Sequence, residues 1–269
     1  MRIAHIINPV IVGNTSDLHV AQPVTFESMR LAQAYAEGIV AVELCSAQFP
    51  EDGDLVPAWF TRTRNLDRSV LDFGNFQKRR KLPLIKDILD RLYETSKADY
   101  FIYTNVDIAL MPYFYTAVAQ MIESGIDAIT INRRTIANNF SDPRHLPLMW
   151  AQVGEKHPGF DCFIFRRDAY PHFDLGTACI GVNWIGRVLL ANVYAQANNY
   201  KIYDDLHLTF HLGDDRSWQN PQLADYDKHN QDEFKGILDR FLLEGKMAGH
   251  PVLESMMNDI HQACAKVTV

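Results

Sequence analysis

A helix-spaced stretch that runs directly into a buried strand is the strongest constraint on how this chain folds. Pro83 suits the opening of a helix because it has no amide hydrogen to leave unpaired. After it, Leu84, Ile85, Ile88, Leu89 and Leu92 recur on one helical face. The run 98–108, Ala-Asp-Tyr-Phe-Ile-Tyr-Thr-Asn-Val-Asp-Ile, then reads as an apolar strand that stops in polar residues. Asn105 and Asp107 are two positions apart, which on a strand directs both side chains to the same face. A carboxamide and a carboxylate at the exit of a buried strand are placed to hold a metal ion or a sugar hydroxyl, or to close a turn by side-chain hydrogen bonds.

The same alternation opens the chain. Residues 2–12 carry Ile3, Ile6, Ile7, Val10 and Ile11 and read as a first strand, interrupted at Asn8-Pro9. A helix over 25–37 follows, with Thr25 as its cap and Gly38 as its end, and residues 39–47 resume as a second strand. Strand, helix, strand in that order begins an α/β unit. Residues 50–81 have no clean period and read as a long excursion near a sheet edge. Further on, the pattern predicts a helix over 113–124, strands at 126–134 and 161–165, a helix over 181–198, a late strand over 200–213, and closing helices at 232–247 and 251–265. These divide the chain into an α/β body, residues 1–220, and a helical extension, 221–269, packed on the same domain.

Bulk properties narrow the partners. With 26 basic and 33 acidic residues, a net charge of -7 and no long basic run, the chain offers no electrostatic footprint for nucleic acid. Its apolar runs fall short of the roughly 20 residues that span a bilayer, and its start does not read as a signal segment, so the expectation is a cytoplasmic protein. Cys45, Cys162, Cys179 and Cys264 form no Cys-x-x-Cys pair and read as small buried hydrophobes. Neither the phosphate-binding loop of P-loop enzymes nor the dinucleotide fingerprint nor Gly-x-Ser-x-Gly is present.

Four places carry candidate chemistry. Asp107, with Asn105, ends the central strand. Arg79, Arg80 and Lys81 precede a helix and suit phosphate oxygens. Asp161 follows His157-Pro158-Gly159 and enters a strand, where it could take a proton from a hydroxyl or cap the turn. His207 and His211 are about 13 Å apart if they share a strand, too far for one ion; His211, at the strand end before Gly213, is the better ligand. Trp59, Phe60, Trp150 and Trp218 are candidates for stacking on sugar rings or for burial.

Taken together, the alternating amino-terminal strands, the basic segment before residues 81–108, and the later His-Pro-Gly-x-Asp and His-x-Gly segments resemble nucleotide-diphosphosugar glycosyltransferases of the GT-A fold over about residues 1–215. The resemblance implies a three-layer α/β/α domain with a mixed central sheet, followed by the helical extension. It implies a nucleotide-sugar donor, a hydroxyl acceptor, and a divalent cation, Mg²⁺ or Mn²⁺. By position, Asn105-Val106-Asp107 matches the family's Asp-x-Asp, His211 the late metal ligand, and Asp161 the acceptor-side base. Arg79, Arg80 and Lys81 would meet the donor diphosphate. Asn105 in place of the first Asp removes one negative ligand, which weakens cation capture unless phosphates, water and His211 compensate, and leaves metal-independent transfer open. A sugar-nucleotide nucleotidyltransferase and a non-catalytic nucleotide-sugar or carbohydrate-binding protein are the alternatives.

Overall fold

The computed structural model describes residues 1–214 and 220–266, with side chains through residue 263. Trp218 and the side chain of Cys264 lie outside the described residues. The chain divides into two compact units. The first comprises residues 1–67, 88–170 and 198–215; the second comprises 68–87, 171–197 and 216–269.

The first unit is built on β1 (Arg2–Ile7), α1 (Leu18–Tyr35), β2 (Ala41–Ser46), β3 (Thr61–Arg62), β4 (Tyr100–Thr104), β5 (Ala109–Leu110), α3 (Phe114–Glu123), β6 (Ala128–Ile131), β7 (Arg134–Ile136), α4 (Leu146–Trp150), β8 (Glu155–Lys156), β9 (Cys162–Arg166), β10 (Tyr200–Tyr203) and β11 (Thr209–Leu212). Helix α2 (Ile85–Thr95) begins in the second unit and enters the first at Ile88. Seven strands form a mixed sheet in the order β10-β6-β9-β4-β1-β2-β3, parallel except for β9, which runs against both β4 and β6. Its strands are apolar almost throughout, as a sheet covered on both faces requires. A smaller sheet, β5-β11-β7-β8, grows from the chain just after β4 and β6. The core joins Ile3 and Ile7 of β1, Met29 and Ala32 of α1, Ile102 of β4, Phe114 and Val118 of α3, and Ile129 of β6.

Several boundaries differ from the sequence-based expectation: the expected strand 126–134 splits into β6 and β7 in different sheets, the expected helix 232–247 starts already at Ala224, and three further differences have a local reason. Helix α1 starts at Leu18 with Asp17 at its cap, so Thr25 is a buried interior residue and not the cap. Its core face extends back through Ala21 and Val24, and Pro23, a residue helix interiors normally reject, hides that face in the sequence. Gly38, at φ +78°, ends the turn after α1 in the left-handed region where glycine is favoured. The first strand stops at Ile7, before Pro9, because the chain leaves the sheet where its amides are taken by side chains: Val10 N–H donates to Gln22 Oε1 at 2.9 Å and Ile11 N–H to Asp52 Oδ1 at 2.8 Å. The late strand is two, β10 in the large sheet and β11 in the small one, split by the polar run at 204–205.

The second unit is helical: α5 (Ile185–Gln196), α6 (Ala224–Leu243) and α7 (Pro251–Lys266), with the segment 68–87. Its small core joins Val70, Leu84, Cys179, Val182, Leu223 and Tyr226. Tyr226 holds the basic segment in place. Its ring stacks on Phe76 with centroids 4.0 Å apart, while its hydroxyl accepts from Arg80 N–H at 2.7 Å and donates to the Lys78 carbonyl at 2.8 Å. Tyr226→Phe keeps the stacking and strands both backbone groups, so it should cost about 1–2 kcal/mol in urea unfolding. An unchanged midpoint would show that stacking alone fixes the segment.

Candidate functional site

The strand directions create the site. The β4 and β6 carboxyl ends meet the amino end of antiparallel β9, since Thr104 and Ile131 both pair with Cys162. Residues 105–107, 132–133 and 161 therefore leave the sheet at one edge, the carboxyl edge where α/β sheets place ligands. The small sheet adds His211 there: β11 pairs with β5, just after Asp107, and with β7, just after Arg133, in the register His211 to Thr135.

Asn105 and Asp107 lie past the end of β4, in a turn closed by Ile108 N–H donating to the Asn105 carbonyl at 3.2 Å. The expectation that they share one strand face is thus replaced by a turn that presents them separately. Asn105 Oδ1 accepts from the Tyr103 hydroxyl at 3.0 Å. Asp107 Oδ2 lies 3.3 Å from His211 Nε2, while its Oδ1 is buried without a hydrogen-bond partner among the described residues. His211 Nδ1 is 2.8 Å from the Gly213 carbonyl, which can only accept, so Nδ1 carries a proton and Nε2 faces the carboxylate. Burial alone would raise the Asp107 pKa, but His211 and Arg133 outweigh it and hold the group below the usual carboxylate range. Burial likewise opposes charge on His211, and Asp107 reverses that and pushes the imidazole up.

An imidazole whose tautomer is fixed by a backbone carbonyl, facing a carboxylate with a spare oxygen, also fits a divalent ion, with the ion replacing the Nε2 proton. Two side chains are only part of a coordination shell. Among the described residues no group of three or more His, Cys, Asp or Glu is arranged to hold a metal, so the remaining ligands would come from the donor or from water.

Asp161 sits 6% exposed at the start of β9. Its Oδ1 accepts from Arg133 Nη1 at 2.7 Å, and its Oδ2 is buried without a hydrogen-bond partner among the described residues, 3.7 Å from His157 Nδ1. Burial raises the Asp161 pKa above the ordinary carboxylate value despite Arg133 and His157. Arg133 is the residue that sequence reasoning missed. Its signal is positional, since it lies two residues past a buried strand, as Asn105 and Asp107 lie just past theirs.

Arg79 and Lys81 are exposed in the second unit, and three residues, Leu82 to Leu84, separate the triplet from the first turn of α2. His207 lies outside β11; its carbonyl accepts from Tyr113 Oη at 3.1 Å. Of the aromatics, Phe60 is buried in the core and Trp150 donates to the Leu110 carbonyl at 3.1 Å, whereas Trp59 is exposed. A second polar group marks the same sheet edge at β1–β3: Asn8 Nδ2 donates to the Ala47 carbonyl, Ser46 Oγ to Gln48 Oε1, and Gln48 Nε2 to Asn65 Oδ1 at 3.0 Å. Cys45, Cys162 and Cys179 are buried and unpaired. No helix among the described residues is long and apolar enough to cross a membrane.

Comparison with protein-family models finds no match, and neither does comparison with curated proteins. Solved structures do share the architecture. Residues 1–349 of S. aureus TarS, in complex with UDP-GlcNAc, superpose over 90% of this chain and 72% of that one at TM-score 0.50 and 10% identity. A putative glucose-1-phosphate thymidylyltransferase from Bacillus anthracis, in complex with a sucrose, superposes over 86% of this chain and 98% of its own at TM-score 0.46 and 10% identity. The fold of this chain is α/β, a mixed seven-stranded sheet flanked by helices, the architecture it shares with the TarS structure.

Proposed function

We propose that the protein is a glycosyltransferase that moves a sugar from a nucleotide-diphosphosugar to a hydroxyl acceptor. The observation that carries this reading is the pair of carboxylates at one sheet edge with opposite environments. Asp107 is held ionised beside His211, and Asp161 is buried with one oxygen unpartnered. Carboxyl groups driven apart in this way divide into a charge-holding group and a proton-handling group.

Asp107 and His211 would hold Mg²⁺ or Mn²⁺, which when bound offsets the charge that develops on the departing nucleoside diphosphate. Asp107 keeps its carboxylate available through the His211 contact, and Asn105 lends a neutral carboxamide in place of a second charge. Asp161 Oδ2 receives the proton of the acceptor hydroxyl as that oxygen bonds to the anomeric carbon. The amide-lined edge at Gln48 and Asn65 suits the hydrogen-bonding edge of a nucleobase.

Isothermal titration against UDP-, GDP- and TDP-sugars, with and without Mn²⁺, tests the reading. Micromolar binding of at least one donor is expected, weakened about 10- to 100-fold by Asp107→Ala. Binding without transfer or hydrolysis would leave a binding protein. Release of pyrophosphate from a nucleoside triphosphate and a sugar phosphate would replace the reading with nucleotidyl transfer.

A further inference from the structure

Arg133 is 8% exposed, and its contacts divide the two oxygens of Asp161 into different roles. Nη1 holds Oδ1 at 2.7 Å, and Nη2 lies 3.2 Å from His157 Nε2. The contacts of His157 disfavour a charged ring. Its Nδ1 meets the Gly159 N–H at 2.9 Å and its Nε2 meets a guanidinium that only donates, so a doubly protonated ring would face two donors. Burial first and Arg133 second accordingly press His157 toward its neutral form. Among the described residues, Asp161 Oδ2 is thus the carboxylate oxygen of the Arg133, His157 and Asp161 group with no hydrogen bond of its own.

We propose that Arg133 is the positioning residue for the acceptor base: by occupying Oδ1 of Asp161 it fixes the carboxylate and dedicates Oδ2 to the incoming hydroxyl. The proposal rests on the assignment of Asp161 as that base. In the step it serves, the acceptor O–H bond breaks and its proton goes to Oδ2. The acceptor oxygen bonds to the anomeric carbon, and the bond from that carbon to the diphosphate oxygen breaks, its electron pair leaving with the nucleoside diphosphate. Arg133 takes no proton and touches no reacting atom. Its second effect is electrostatic, since a carboxyl group this buried stays ionised near neutral pH only with a cation against it. The other charged or titratable groups that act on Asp161 are His157 from its own loop, Asp107 after β4 and His211 on β11, and Tyr103 on β4 and Cys162 on β9 sense its charge.

The test uses the full chain with UDP-GlcNAc, following UDP release to water across pH in wild type, Arg133→Lys, Arg133→Gln and Asp161→Asn, with the UDP-GlcNAc dissociation constant measured in each. The acid limb of kcat/KM should move up by about one pH unit or more in Arg133→Gln. Turnover near neutral pH should fall at least about tenfold, in part restored at higher pH, by added guanidinium, or by Lys at this position. Donor affinity should fall less than turnover, because Arg133 reaches Asp107 and His211 through its charge while their own 3.3 Å contact is kept. A uniform loss of kcat with an unmoved acid limb and no rescue would reduce Arg133 to a structural ion pair and overturn the proposal. Should Arg133→Gln fail to fold, Arg133→Lys carries the same comparison, with a smaller upward shift of the acid limb as its expected result. Failure of the parent reading looks different: Asp161→Asn would turn over like wild type, or UDP-GlcNAc and its relatives would not bind at all.

Discussion

Asp161→Asn should lower transfer by about 10²- to 10⁴-fold while leaving nucleotide-sugar affinity within a few fold. Asn matches Asp in shape and can still accept the Arg133 hydrogen bond, so the change removes basicity more than geometry. It also leaves the Arg133 charge buried without its counter-ion, and breaking such a pair destabilises by about 3–5 kcal/mol in other proteins. Unfolding must therefore be followed in parallel, and the kinetic loss assigned only to folded protein. The base role proposed for Asp161 carries a stereochemical consequence, since a base that activates the acceptor for direct displacement works from the face opposite the leaving group. The product should carry the inverted anomeric configuration, readable by NMR of the newly formed linkage. Retained configuration, or turnover close to wild type in Asp161→Asn, would remove Asp161 from the base role and leave its unpartnered oxygen as a contact for a substrate hydroxyl.

How far the site was legible depends on what kind of signal each residue leaves. Asp107 and Asp161 stand out because a carboxylate at the end of an apolar strand interrupts a pattern, and the order of strands places both ends on one edge once β9 runs antiparallel. That antiparallel direction is not written in residues 161–166, whose apolar run would suit either orientation. His211 stands out by its place at a strand end, and only the family resemblance sets it beside Asp107; the residues themselves do not show that contact, because the pairing of β11 with β5 and β7 joins segments about a hundred and about seventy-five residues apart. Arg133 stayed hidden for the opposite reason. In sequence it belongs to a common Asn-Arg-Arg exit from a strand, and only the fold shows that Arg133 is buried against Asp161 while the neighbouring Arg134 turns to Asp205 and the Val153 and Gly154 carbonyls. The fold itself was readable where periodicity was clean, as for α3 and α5. It was misread where one residue masked the period, as Pro23 did for α1.

Acid should destabilise the protein through a residue outside the site. His5, in the middle of β1, is wholly buried, with Nδ1 2.9 Å from the Tyr115 hydroxyl, Nε2 2.9 Å from Thr104 Oγ1, and the Phe114 ring 6.1 Å away. Two hydroxyls satisfy a neutral ring, one as donor and one as acceptor, but supply no charge for an imidazolium. Removal from water therefore drives its pKa from 6.5 to about 3. Above pH 6.5 neither the folded nor the unfolded chain protonates this residue, and it contributes no pH dependence. Below that point the unfolded chain takes up a proton that the folded chain refuses. Stability then falls by about 1.4 kcal/mol per pH unit until the folded pKa is reached, a total of up to about 5 kcal/mol. His5→Gln keeps one donor and one acceptor without a titrating group. It should cost some stability near neutral pH, yet urea unfolding followed from about pH 7 to about pH 4 should fall less steeply than for wild type, by about 3 kcal/mol over that span. Other carboxylates and histidines titrate identically in both proteins, so the difference between the two curves isolates His5. Parallel curves would mean that the buried ring accepts its proton without unfolding, and that the hydroxyls of Tyr115 and Thr104 rearrange to solvate it.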